Sequence, residues 1–351
     1  MITFIGTHFA INEPWGKQEH YIIDTVKRQV EFNFPNERNL IVNITWLGPQ
    51  FKNGIWEQVC SINKTYDNLF WLAPVDPLTI TEKQRNEIEQ RLGVNRVFHV
   101  GSSFNTGPYT FNTGAIASYQ DFPNYTDEDV RLETIEYKYM CLNRKPKPHR
   151  IRIVESLKHN NLLDDGIVTL GLNNADYDAS EGINTDVFLK INNDAPEDYA
   201  PESVSGYNAF GGVPFDVCSL GRLDIWRKHF LNIISETEWR PWDPMFVTEK
   251  TWKPIIGMRP FLINGQPQIY QWLRDNGFKT FTHYFPVELE DVNEEQIIPA
   301  ITEAVKYLTT ADLNSMYVDM LPDLVYNRKR FFEFAQEQDK KLNELFNEQT
   351  T

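Results

Sequence analysis

The chain has 351 residues, 41% of them hydrophobic and 13% aromatic, which is enough for two ordinary domains with a core each. Lysine and arginine total 34 against 49 aspartate and glutamate, a formal net charge of −15 that disfavours a polyanion as a long-range partner. The excess is uneven: residues 1–145 carry −3 and residues 146–351 carry −12, so the first half is the better surface for any nucleic acid.

Cys60, Cys141 and Cys218 are isolated in spacing, giving neither a disulfide framework nor a zinc pattern and suiting a reducing compartment. The N-terminus is apolar for only a few residues and no run approaches the length of a bilayer span. The expectation is a cytoplasmic protein with no membrane span.

Strands and helices alternate along the chain. Residues 2–9 read as a strand and 18–33 as a helix, with Tyr21, Ile22, Thr25, Val26, Gln29 and Val30 on one face. Residues 40–47 and 68–73 are strands, the second ending at Pro74-Val75-Asp76-Pro77. A helix opened by Thr79 to Glu82 runs to Leu92, and 97–100 is the next strand. A second unit opens with strand 138–142, a basic segment at 143–150, a helix over 149–160 and a strand over 167–172. Residues 173–212, rich in Asn, Asp, Glu, Pro and Gly, read as a long irregular insertion. Strand 230–234, a helix closing at Gly257, strand 260–264, helix 266–276 and strand 278–281 follow, then helices over 294–308 and 322–347. Alternation of this kind predicts α/β architecture with doubly wound parallel sheets. The predicted domains are 1–136 and 137–320, with 321–351 as a helix returning to the first.

The stretch 230–264 carries the most chemistry. Its first strand ends in Ser235-Glu236-Thr237, and Thr248 stands to cap a helix that opens with Glu249-Lys250. Ligands of open α/β sheets gather at the carboxyl ends of strands, and free N–H groups at a helix start attract phosphate. Lys250 can therefore pair with a phosphate oxygen and Glu249 can accept ribose hydroxyls. Arg144, Lys147 and Arg150, in the basic segment, can clamp a departing diphosphate. The plainer alternatives are an ordinary capped helix with a surface charge pair, and a solvated linker over 144–152. Trp252, Phe246 and Phe261 read as core, whereas Trp239 and Trp242 lie in a loop from which they can stack on a base or a sugar.

Taken in order, KYMCLNRKPKPHR, FLNIISET, FVTEKTWKPIIGMRPFLI and LRDNGFKTF resemble the donor domain of GT-B glycosyltransferases, in the fucosyltransferase-like and tailed-phage type. The resemblance spans residues 137–285; the first half shares only the α/β pattern. It implies a GT-B fold of two facing Rossmann-like domains with a C-terminal helix crossing back. It also implies a nucleotide sugar as donor substrate, a UDP-sugar favoured, with no cofactor and no required metal. Lys250 and Arg150 would contact the diphosphate, and Glu236 and Thr237 would lie near the sugar or ribose.

An inverting transferase needs a base beside the acceptor hydroxyl. Asp76, after strand 68–73, is the first candidate, followed by Glu13 and His8 after the first strand. Asp176-Tyr177-Asp178 spells the Asp-x-Asp pattern of metal-dependent transferases, the alternative to metal-free catalysis. The phage-like type implies a specific acceptor, 5-hydroxymethylcytosine in double-stranded DNA receiving glucose or arabinose in a host cytoplasm, with the base flipped out. Lys17, Lys52, Lys64 and Arg96 would then grip the DNA. A glycan, lipid-linked or protein acceptor is the broader alternative. A nucleotide-sugar or carbohydrate-binding protein without turnover is the alternative of another class.

Overall fold

The computed structural model describes residues 1–6, 16–44, 49–74, 82–101, 109–122, 124–143, 147–170, 220, 223–237, 239, 245–290 and 292–347. Packing divides the chain into two compact units, Met1–Ala117 with Ala335–Thr351, and Ser118–Phe334. Each contains a four-stranded parallel sheet. The first division precedes the predicted 136/137 because residues up to 136 are tied into the second unit. There Arg259 Nη1 donates to Val130 O at 2.9 Å and Arg227 pairs with Glu133 at 2.8 Å.

In the first unit β1 (Ile2–Ile5), β2 (Asn39–Asn43), β3 (Asn68–Ala73) and β4 (Arg96–Gly101) lie side by side in that order. β2 and β3 are buried at every position, as parallel strands covered on both faces must be. Helix α1 (Gly16–Asn33) lays Ile22, Ile23, Val26 and Val30 on one face against Ile41, Phe70, Leu72, Phe98 and Val100. Leu342 and Phe346, near the end of the chain, complete that core. Ile55 and Val59 of α2 (Pro49–Cys60) and Ile88 and Leu92 of α3 (Glu82–Leu92) cover the other face. A short α4 (Thr113–Asp121) adds Ile116 to the first core.

The second unit begins with α5 (Asp127–Val130), whose capping box uses Thr126 and Asp129. Its sheet contains β5 (Tyr137–Asn143), β6 (Gly166–Leu170), β7 (His229–Ser235) and β8 (Phe261–Asn264), in the order β6-β5-β7-β8. The chain therefore winds outward in both directions from the β5–β7 pair, so the crevice at the carboxyl ends of those two strands is a topological switch point. Helix α6 (Pro148–His159) joins β5 to β6. A short α7 (Leu223–Trp226) precedes β7, and α8 (Glu249–Ile256) joins β7 to β8. On one side of the sheet Ser156 of α6 bonds Thr302 of α10 (Glu294–Leu308) at 2.7 Å. Trp252 of α8 packs 5.5–6.1 Å, between ring centroids, from Trp272 of α9 (Gln268–Asp275), Phe278, and Phe331 and Phe334 of α11 (Leu313–Asn343).

Two predicted elements are corrected. Residues 278–281 form no strand: Asn327 of α11 donates to Lys279 O at 2.9 Å and accepts from Lys279 N at 2.8 Å, replacing a ladder partner. The last helix starts at Leu313 rather than 322. Asp312 caps it by accepting from Ser315 N, and Pro322 sits inside it, where its missing N–H frees only the carbonyl of the exposed Val318. The predicted insertion over 173–212 lies outside the described residues. Among the described residues no helix is long and apolar enough to cross a membrane.

A cation cluster at the switch point

The β7 run HFLNIIS is wholly buried, and the chain leaves the sheet through Glu236 and Thr237. Beside it β5 ends at Asn143. Met140 is registered with Asn232, so three residues further Asn143 and Ser235 end the two strands side by side. Pro148 occupies the first position of α6, where its fixed φ suits a helix start and its missing N–H costs nothing. The residues around it, Lys147, His149 and Arg150, are thereby delivered to the same edge.

All three basic side chains bind the exit of β7. Lys147 Nζ donates to Thr237 O at 2.8 Å, and Arg150 Nη2 donates to Ser235 O at 3.3 Å and Glu236 O at 3.2 Å. His149 Nε2 lies 2.9 Å from Glu236 O. From β8, Asn264 Nδ2 donates to His149 O at 3.1 Å, closing the ring of contacts.

Glu236 is fully buried and its carboxylate accepts four hydrogen bonds. Oε1 takes Thr248 N–H at 3.1 Å and Thr251 O–H at 2.6 Å; Oε2 takes Thr237 N–H at 3.1 Å and Thr248 O–H at 2.6 Å. Every lone-pair position is thus used, and the residue braces the end of β7 against the mouth of α8. Thr248 is the N-cap of α8, its Oγ1 accepting from Lys250 N at 3.3 Å.

Lys250 is half-buried, with 31% of its side chain exposed. Its Nζ donates to Glu249 Oε1 at 2.6 Å and to Thr237 Oγ1 and Thr248 Oγ1 at 3.3 Å each. Lys147 and Lys250 therefore both reach Thr237, one through its carbonyl and the other through its hydroxyl. Burial pushes the Glu249 carboxyl up, but the charge and hydrogen bond of Lys250, with Lys253 behind, outweigh it and hold the group below its ordinary value. It is ionised at neutral pH.

His149 is held well below its ordinary value by burial and by the charge of Arg150. Its ring stacks on Trp239 with centroids 5.5 Å apart and planes 22° apart. Burial likewise pushes the Cys141 thiol up to about 12, so it stands in the sheet as a neutral, unreactive group.

Lys147, Arg150, Glu236, Thr237, Thr248, Glu249 and Lys250 thus converge on one edge. Arg144, Asp76, Glu13, His8, Trp242, Asp176 and Asp178 lie outside the described residues. His149, Thr251, Asn143 and Asn264 join the site without having been singled out. His149 had a signal in the Pro-His-Arg helix start, while the others depend on which strands are neighbours. In the first unit, buried Glu19 near the start of α1 accepts from Asn43 Nδ2 at 3.1 Å at the carboxyl end of β2. Gly6 makes that corner possible, having a φ of +142° and leaving room where a Cβ would come within 2.6 Å of Asn43 O. Arg96 belongs to the opposite edge: it opens β4, bonds Asn68 Oδ1 at 2.8 Å and pairs with Glu37.

Comparison with known protein families, with curated proteins and with solved structures finds no match.

Proposed function

We propose that the chain is a glycosyltransferase of the GT-B type. The second unit binds a nucleotide sugar, a UDP-sugar favoured, and the first presents an acceptor hydroxyl. The observation that supports this best is the meeting of Lys147 and Lys250 at Thr237, at the carboxyl end of a switch-point strand and beside a capped helix start.

In the reaction the acceptor oxygen attacks the anomeric carbon, the bond from that carbon to the phosphate oxygen breaks, and the diphosphate departs with the electron pair. The two ammonium groups neutralise the charge that develops on the leaving diphosphate. Glu249, ionised beside Lys250, accepts the ribose hydroxyls. Glu236, with no lone pair to spare, positions Thr248 and Thr237 rather than touching the ligand. Arg150 is buried against two carbonyls, adding positive potential and fixing α6 to β7. The acceptor proton goes to a base in the first unit. Asp76, Glu13 and His8 remain the candidates, and Glu19 joins them because it sits at the carboxyl edge of that sheet.

For the acceptor we propose 5-hydroxymethylcytosine in double-stranded DNA. Its support is the phage-like donor motifs and the net −3 of residues 1–145. Lys17 and Lys52, in the first turns of α1 and α2, follow strands and stand on the carboxyl edge. Lys64 and Arg96 lead into β3 and β4 at the other edge and leave the proposed DNA contact.

A panel of nucleotide sugars read by thermal shift, then a transfer assay on hydroxymethylcytosine DNA and on oligosaccharides, tests both levels. Modified DNA, with turnover that falls steeply as salt rises, is the expected result. Glycosylated saccharide with untouched DNA moves the acceptor to a glycan. Tight donor binding without transfer to any acceptor leaves a binding protein instead of an enzyme.

A further inference from the structure

Trp71, Trp226 and Trp252 are buried in cores, but Trp239 is only half-buried and lies on the start of α6. The His149 ring stacks against it, and the Arg152 guanidinium lies 5.3 Å from its ring centroid. His149 and Arg152 are three residues apart and so share a helix face, and the indole lies against that face.

The His149 ring has a fixed tautomer. Nε2 is 2.9 Å from a carbonyl oxygen, which can only accept, so Nε2 carries the hydrogen and Nδ1 the lone pair. Among the described residues Nδ1 is buried with no hydrogen-bond partner, and so is Asn143 Oδ1 at the end of β5. Bare buried acceptors are rare in folded proteins and mark places where a donor is due. This edge therefore combines cations, a flat aromatic surface and two acceptors lacking donors. Inorganic diphosphate would use only the cations. A molecule with an anionic part, a flat ring and N–H or O–H donors uses all three, and that description fits a nucleoside diphosphate.

We infer that Trp239 and His149 form the nucleoside half of the site: Trp239 is the stacking platform for the base, and His149 Nδ1 accepts a hydrogen bond from a base N–H or a ribose hydroxyl. The inference rests on the donor-binding reading and assigns its specificity to two residues outside the cation set. Because Nδ1 is covered in the present arrangement, the indole shifts when the nucleoside enters, and its emission reports the event.

The test titrates UDP, GDP and inorganic pyrophosphate into wild type, Trp239→Ala and Trp239→Phe, by calorimetry and tryptophan emission, with melting temperatures alongside. At least one nucleotide should bind about tenfold or more tighter than pyrophosphate, the scale of one base stacked on an aromatic ring. Trp239→Ala should bring that nucleotide to the pyrophosphate level without changing pyrophosphate itself, and Trp239→Phe should retain most of the affinity. An emission change with nucleotide but not pyrophosphate, absent from both variants, completes the expected pattern. The inference is overturned if neither nucleotide exceeds pyrophosphate. It is also overturned if Trp239→Ala leaves nucleotide affinity unchanged, or weakens nucleotide and pyrophosphate equally. Trp239-dependent nucleotide binding with no sugar transferred to any acceptor would sink the transferase reading and leave this one standing. Transfer at an unchanged donor KM in Trp239→Ala would do the reverse.

Discussion

A carboxylate sealed from water survives only if its lone pairs are filled, and Glu236 meets that condition with two backbone N–H and two hydroxyl donors. In Glu236→Gln one oxygen becomes an NH2 group facing a backbone N–H and a threonine hydroxyl. A buried donor is left unmade, and stability should fall by about 3 kcal/mol, measured by chemical denaturation. A loss below about 0.5 kcal/mol would contradict the bracing role. His149 and His229, both buried, make a pH prediction. Burial, with Arg150 beside His149 and Arg259 beside His229, lowers both, His229 to about 3. The unfolded chain protonates both as pH falls through about 6.5 while the folded chain keeps them neutral, so the unfolded state takes up the protons. Unfolding free energy should therefore drop between pH 7 and pH 5, with a slope approaching ~1.4 kcal/mol per pH unit for each ring. Glu249, lowered from an ordinary value of 4.5, adds stability that is lost only at more acid pH and does not enter this window. A flat profile from pH 7 to pH 5 would show that the imidazoles titrate normally. At this scale the sequence displayed the chemistry of 235–237 and 248–250 but not its division of labour. Which carboxylate faces a ligand and which is walled in depends on Thr251 and on the exit of β7, and neither leaves a local mark.

Elements were legible where their signal is local. β3 follows from an apolar run between turn residues, and α8 from Thr248 at one end and Gly257 at the other. Residues 278–281 look equally strand-like, with Phe278 and Phe281 buried, yet the backbone N–H and C=O of Lys279 bond to the side chain of Asn327, 48 residues on. No window of sequence contains that partner. The stop of α8 also has a tertiary reason. Trp226 Nε1 donates to Gly257 O at 2.9 Å, and a Cβ at position 257 would come within 2.1 Å of the indole. Gly257→Ala should therefore cost about 3 kcal/mol by overpacking, although its φ of −84° suits alanine, and loss of thermal stability measures it. Unchanged stability would mean that the indole moves freely.

For the whole molecule, the two parallel sheets were expected from alternation, while the switch point needed the order β6-β5-β7-β8, which depends on long-range pairing. That order turns scattered motifs into one edge and places Lys147, from one connection, with Lys250, from another. With lysines supplying the positive charge, transfer should persist in EDTA. Full loss restored by Mn²⁺ or Mg²⁺ would instead promote Asp176 and Asp178 to metal ligands. The central claim is that Lys250 neutralises a leaving diphosphate. Release of nucleoside diphosphate from the preferred nucleotide sugar, in the presence of its acceptor, tests it most directly when wild type and Lys250→Ala are compared at matched melting temperature. One lost charge-assisted contact of about 1.5–3 kcal/mol predicts a fall of about tenfold or more in kcat/KM. A folded Lys250→Ala enzyme that releases the diphosphate at the wild-type rate would contradict the account.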